Sequence, residues 1–270
     1  MNDASRETGT FATKGTKSTN ILCLLCFLWL FPSPPLQNDP RQIVEEAERR
    51  TTSQSQRYEG TLKVIDAKSK VTEKRWQYDR MGSHGASKAV LRFTLPPEVK
   101  GVALLVLNHP DRSSDQWMWT PAINRERKIA LQDRATRFFG TDFSFEDLEE
   151  RDTKQFDYKL LGEESIDGAA CWKLQSTPRQ TKVSQYSHSY VWVRKDNYAI
   201  TQIENYDKSQ IVRRAHYGDI RNDQGIWTAH EIDMHDLKRN SHTILKIEKL
   251  QYNVPMQDDA FTVQALRRES

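Results

Sequence analysis

From residue 56 onward the apolar positions of the chain fall two apart. Tyr58, Gly60, Leu62 and Val64 share one face, Trp76 and Tyr78 mark a second segment, and Leu91, Phe93 and Leu95 a third. That period belongs to strands with one buried face. Residues 102–107 (VALLVL) are apolar on both faces, which describes a strand covered from both sides. Trp117 and Trp119 share a face of a short strand stopped by Pro121, and residues 124–131 read as basic and extended. After residue 156 the alternation resumes, with Asp167-Gly168 as a two-residue hairpin turn and further turns at 195–197, 222–225 and 238–240. Residues 41–50 read as a helix, with Asp39 as N-cap, Pro40 at the first helical position, and Ile43, Val44 and Ala47 on one face. Ten or eleven strands, this helix and a mid-chain helical insertion predict a mainly β fold. Its expected form is a half-open antiparallel β-barrel with a helical lid over one opening.

One segment obeys neither period. Residues 137–148 read RFFGTDFSFEDL, placing Phe138, Phe139, Phe143 and Phe145 within eight residues, interrupted by Gly140. Burying one Phe side chain is worth roughly 1.5–3 kcal/mol, so the segment must cover something apolar. That is either a permanent core or a cavity that sometimes holds a ligand. With the strand aromatics Trp76, Phe93, Trp117 and Trp119, these four phenylalanines are the candidate lining and lid of such a cavity, hinged at Gly140.

Composition narrows the classes. The 270 residues carry a formal charge of +3 with both signs interspersed, which leaves no nucleic-acid footprint. Lys14 and Lys17 precede an apolar run at 21–31 (ILCLLCFLWLF), and Pro32, Pro34 and Pro35 follow it. This is the layout of a secretory signal, and the run is too short to span a hydrocarbon core of roughly 30 Å. Residues 1–37 are therefore expected to be a leader and 38–270 a single exported domain. No Ala-x-Ala-type site precedes Gln37. Cys23 and Cys26 each follow a leucine where lipid attachment favours a small residue. Beyond the leader only Cys171 remains, so no intramolecular disulfide is expected.

Catalytic constellations are not evident. His230 and His235 flank a glutamate, but a spacing of five on a strand sends them to opposite faces, and no metal site is expected there. Cys171 lacks a neighbouring His, and no Gly-x-Ser-x-Gly elbow occurs. Glu146, Asp147, Glu149 and Glu150 read as the solvated first turns of a helix beginning near Ser144. Arg125, Arg127, Lys128, Arg134 and Arg137 either meet lipid headgroups or an acidic partner, or protect an exposed edge strand. The expectation is a protein without enzymatic activity or cofactor.

Residues 137–148, with 190–198 (YVWVRKDNY) and 258–266 (DDAFTVQAL), resemble the bacterial outer-membrane lipoprotein-sorting proteins, a family related to the periplasmic lipoprotein carrier LolA. The resemblance runs from about residue 39 to 266. It implies a half-open barrel with a helical lid over an apolar cavity that accepts lipoprotein acyl chains or other lipids, acting as a monomer in the periplasm. Relatives in this branch also look like accessories of multidrug-type export permeases. That makes a non-enzymatic envelope adaptor beside an inner-membrane permease the alternative.

Overall fold

A computed structural model describes residues 39–110, 112–180 and 182–268; the expected leader lies outside them. The helix expected at 41–50 is α1, Pro40–Thr51, and the Asp39 carboxylate accepts from the Arg41 backbone N–H at 2.9 Å. Thirteen strands follow, against the ten or eleven expected. They are β1 Ser55–Ile65, β2 Val71–Ser83, β3 Ala86–Leu95, β4 Ala103–Leu107, β5 Asp115–Thr120, β6 Arg125–Lys128 and β7 Phe156–Ile166. The rest are β8 Ala169–Pro178, β9 His188–Arg194, β10 Ile200–Asp207, β11 Gln210–Asp223, β12 Ile226–Asp236 and β13 Ser241–Tyr252.

All thirteen form one antiparallel sheet in the order β6-β5-β4-β3-β2-β1-β13-β12-β11-β10-β9-β8-β7. Two meanders, β1–β6 and β7–β13, are joined by the pairing of β1 with β13, Leu62 lying opposite Leu245. The sheet does not close, so β6 and β7 are its edges. It is nevertheless strongly curved. Gln116 on β5 donates to the Phe145 carbonyl at 2.9 Å, and Arg151 donates to Ser176 on β8 at 2.5 Å. Flat, strands ten places apart would be about 48 Å from each other, whereas six residues of chain reach at most about 21 Å. Only a sheet rolled toward its own concave face allows both contacts.

Three apolar clusters result. On the concave side, Leu62, Trp76, Phe93 and Leu104 pack with Phe138, Phe143 and Phe145. Beside them, Ile43, Val44 and Ala47 of α1 pack on Trp172, Leu174, Val191 and Val193. On the convex side, Phe261 and Leu266 of the C-terminal segment cover Ala103, Leu105 and Trp119, which is why β4 is apolar on both faces.

The expected mid-chain helix near Ser144 is absent. The only helical turns in residues 129–155 are the single 3-10 turns Leu131–Asp133 and Thr153–Gln155, so among the described residues the helical cover is α1. Past Ser144 the backbone makes only single turns, such as Glu149 N–H to Glu146 O at 3.1 Å, because Asp147 and Glu149 are drawn inward to cations from other parts of the chain. Ser144 and Asp147 do bond reciprocally, with Ser144 N–H to Asp147 at 2.7 Å and Asp147 N–H to Ser144 Oγ at 3.2 Å, but they close an isolated turn.

Gly60 marks a close approach within the seam. The β1–β13 register slips between Glu59 and Gly60, and a Cβ on Gly60 would lie 2.8 Å from the Lys246 carbonyl and 3.1 Å from Trp76 Nε1. The Lys246 contact is backbone and cannot swing away. Gly60→Ala is therefore expected to lower stability by about 1–3 kcal/mol, read as a reduced urea midpoint at constant m.

Candidate functional site

The concave face is covered from two directions, and the site lies between the two covers. From one side comes the segment at 137–150. Its backbone closes on itself: Phe138 N–H donates to Phe143 O at 2.9 Å, Thr141 N–H to Phe138 O at 3.0 Å, and Phe145 N–H to Thr136 O at 3.1 Å. Phe138 stacks on Phe93 with centroids 5.3 Å apart and meets Phe139 and Phe145 edge-on at 5.6 Å each.

Three carboxylates pin this segment to the sheet. Asp142, fully buried, accepts from Ser241 at 2.6 Å and Thr243 at 2.7 Å, and pairs with Arg137 at 2.9 Å. Asp147 accepts from Tyr186 at 2.7 Å and lies 3.4 Å from Arg213 of β11. Glu149 pairs with Arg134, with Lys182 at 2.7 Å, and accepts from Gln116 at 3.2 Å. The acidic run thus departs from the solvated helix face expected of it. Asp147 and Glu149 keep only 5% and 8% of their side chains exposed, because each has found cationic partners inside the curve. Glu146 is held by Ser184 and the Gln185 N–H, and burial still pushes its carboxyl above the usual range.

Between this segment and α1 lies a cavity of about 440 Å³, within the range of small-molecule sites. Val44 and Ala47 form its helical wall, Val191 and Val193 one flank, Ile232 and Ile247 the other. Tyr58, Tyr78 and Tyr217 also border it, and desolvation pushes all three phenols up, Tyr217 to about 12. Tyr58 stacks on Tyr78 at 4.8 Å. Charged side chains border it as well: Arg80 pairs with Glu150 at 3.2 Å, His84 approaches Glu48 at 3.6 Å, Asp147 and Glu149 hold the pairs already described, and Arg151 sits 4.2 Å over the Phe156 ring. The Trp76 indole, 2% exposed, has a ring N–H without an acceptor among the described residues.

Of the expected lining residues, Trp76 and Phe143 border this cavity. Phe93, Phe138 and Phe145 are buried beside it in the packed aromatic layer, and Phe139 is half-buried against them. Trp117 and Trp119 lie on the convex face beneath the C-terminal segment, because the inward position of β5 between them belongs to Met118. Gly140, expected as a hinge, occupies a tight turn in which Arg137 grips the Gly140 and Thr141 carbonyls at 2.9 and 2.6 Å, and Lys74 the Phe139 carbonyl at 2.8 Å. The cavity tyrosines were not among the sequence candidates. Their signal was present in Tyr58 and Tyr78, which alternate with polar residues on neighbouring strands.

The curved open sheet, the single covering helix and the apolar cavity define a LolA-like fold. A family model described as "Uncharacterized protein" matches residues 85–268, more than half of the chain, and the chain belongs to that family. Solved structures agree on the fold. An outer membrane lipoprotein-sorting protein domain from Vibrio parahaemolyticus is 22% identical with a TM-score of 0.80, covering 85% of this chain and 98% of its own. A DUF1329 family protein from Desulfovibrio piger is 27% identical, also at 0.80, covering 84% and 99%. The LolA superfamily protein NE2245 from Nitrosomonas europaea is 21% identical at 0.67, covering 84% and 98%. The resemblance read from residues 137–148 is thereby borne out at the level of the fold. Among curated protein sequences, none matches this chain significantly.

Two outcomes follow from the site. Asp142→Ala leaves Arg137 without its partner and strips Ser241 and Thr243 of their acceptor, so a loss of about 3–5 kcal/mol is expected in denaturant unfolding. The tyrosines give a pH signature. A phenol raised in the folded state contributes stability that is whole below its unfolded value near 10 and is lost as pH climbs toward about 12. Ultraviolet titration should therefore show a group of late-ionising tyrosines, with unfolding setting in across that window; ionisation of every tyrosine near 10 in the folded protein would contradict the burial of these phenols.

Proposed function

We propose that the protein is a periplasmic carrier that shields lipid acyl chains in this cavity and moves them between membranes, with lipoprotein acyl chains or other lipids as cargo. The observation that carries this reading is the cavity itself, walled largely by apolar and aromatic side chains from α1, β9, β12 and β13 beside the charged side chains named above. At about 30 Å³ for each water-sized group, close to the size of a methylene, 440 Å³ holds on the order of fifteen such groups. That is one acyl chain in the present opening. Moving each methylene out of water is worth about 0.8 kcal/mol, comparable to what a bilayer offers, so cargo can both enter and leave. The charged side chains that border the cavity suit the polar headgroup of such a chain.

In this reading the cover that moves is α1. It meets the rest of the domain through Ile43, Val44 and Ala47 and through side-chain ties, among them Arg41 to the Phe156 carbonyl at 2.8 Å, Thr153 to Glu48 at 2.5 Å, Thr51 with His84 at 3.2 Å, and Arg50 over the Tyr198 ring at 4.3 Å. The 137–150 segment, held by three buried carboxylates, stays in place. The adaptor alternative draws on the Phe93–Phe138–Phe145 layer, which packs as core, and it requires no acyl binding at all.

One experiment separates the two. Fluorescent fatty acid should bind the purified protein and be displaced by phospholipid, and lipid should co-purify with it in native mass spectrometry. Ile232→Trp and Ile247→Trp fill the cavity from half-buried positions and should weaken binding about tenfold or more, with the melting temperature kept or raised. Binding that ignores both substitutions, or no binding by the parent, would remove the carrier reading.

A further inference from the structure

The convex face carries a cluster unrelated to the cavity. On β12, Met234 points inward, so Asp233 and His235 point outward; on β13, Thr243 points inward and His242 outward. His235 and His242 are directly opposed in the ladder. His235 Nε2 lies 3.0 Å from one oxygen of Asp233, and His242 Nδ1 lies 2.8 Å from the other. The three potential donor atoms fall within 4.8 Å of one another.

We propose that Asp233, His235 and His242 form a binding site for a divalent transition-metal ion of the zinc class. Two imidazoles and a carboxylate are the donor set that zinc, cobalt, nickel and copper ions share, and that magnesium and calcium do not favour. Donors around a tetrahedral zinc sit roughly 3.3 Å apart, given bonds of about 2.0–2.2 Å, and the spacing here requires only side-chain movement. The rings stack at 4.7 Å with planes 22° apart, so one imidazole must turn about its soft outer torsion to aim its lone pair at the shared ion. Neighbouring groups leave the carboxylate free for this. Across the ladder from Asp233, His216 is bound to Asp167 at 2.6 Å; across from His235, Arg214 is bound to Glu204 at 2.8 Å.

The side chains of Asp233, His235 and His242 are 24%, 40% and 28% exposed, so an ion reaches them from solvent and keeps at least one outward position for water or another ligand. This describes an exchangeable surface site. The spacing along the chain conceals it: His235 pairs with His242 through the ladder, while His230, the histidine nearer in a familiar pattern, bonds to Asp223 at 2.8 Å.

The test uses the full chain without a polyhistidine tag, freed of metal by chelator. Calorimetric titration should show zinc binding that weakens about tenfold or more in His235→Ala and in His242→Ala, and is unchanged in His188→Ala. Cobalt should give a visible absorption band that the same two substitutions abolish. Imidazole nitrogen NMR of the parent protein guards against a folding artefact, since zinc should shift His235 Nε2 and His242 Nδ1. No zinc binding, binding that both substitutions spare, or shifts confined to other histidines would each overturn the site.

Discussion

An open sheet rolled around an apolar concave face must have that face covered, and the rest of the structure follows from how the cover is built. A helix satisfies its own backbone and brings only side chains to the surface it covers. A loop brings unpaired N–H and C=O groups, each of which costs free energy when buried. Here α1 covers β8 and β9, while a loop covers β2 to β4. The loop is tolerable because the backbone groups of Phe138, Thr141 and Phe145 bond within the segment, and because Asp142, Asp147 and Glu149 turn what would be buried charges into anchors. Removing one partner of a buried pair typically costs 3–5 kcal/mol, more than the pair itself adds, so the anchors fix position more than they add stability.

The two covers do not meet. The aromatic layer of Phe93, Phe138 and Phe145 ends at Phe143, and the helical cover ends at Ala47. What remains between them is the cavity, floored by the strands on either side of the β1–β13 seam. The seam accounts for part of its width. Gly60 admits the Trp76 indole close to the backbone, so the floor is lower there than a β-branched residue would leave it.

Much of the strand framework was legible in the sequence. Alternation located the strands, Asp167-Gly168 turned as its composition requires with φ of 50° and 77°, and Asp39-Pro40 opened the helix. What alternation does not encode is which face looks inward. Trp117 and Trp119 share a face, as their spacing says, but that face is the convex one, covered by a C-terminal segment with no period of its own. The pairing of β1 with β13 joins residues nearly two hundred positions apart, as in Gln56 opposite Tyr252, and no local signal announces it. The acidic run after Ser144 resembled a helix start because capping chemistry is local, whereas the cations that claimed those carboxylates arrive from the turn at Arg134, from β11 and from the 180s loop.

The same comparison decides which part can open. Swinging the 137–150 segment away would expose four phenylalanines, take Asp142 from Ser241 and Thr243, and break the pairs of Asp147 with Arg213 and of Glu149 with Arg134 and Lys182 together. Swinging α1 away exposes Ile43, Val44 and Ala47 and gives up the side-chain ties of Arg41, Glu48, Arg50 and Thr51, but its hydrogen-bonded backbone stays intact. At roughly 25 cal/mol per Å² of apolar surface, uncovering these side chains and their partners on β8 and β9 costs several kcal/mol, which on the proposed carrier reading an entering acyl chain offsets. On that reading, one cover weak enough to yield to cargo and a second too strongly anchored to collapse are both consequences of one division of labour, helix on one side and pinned loop on the other.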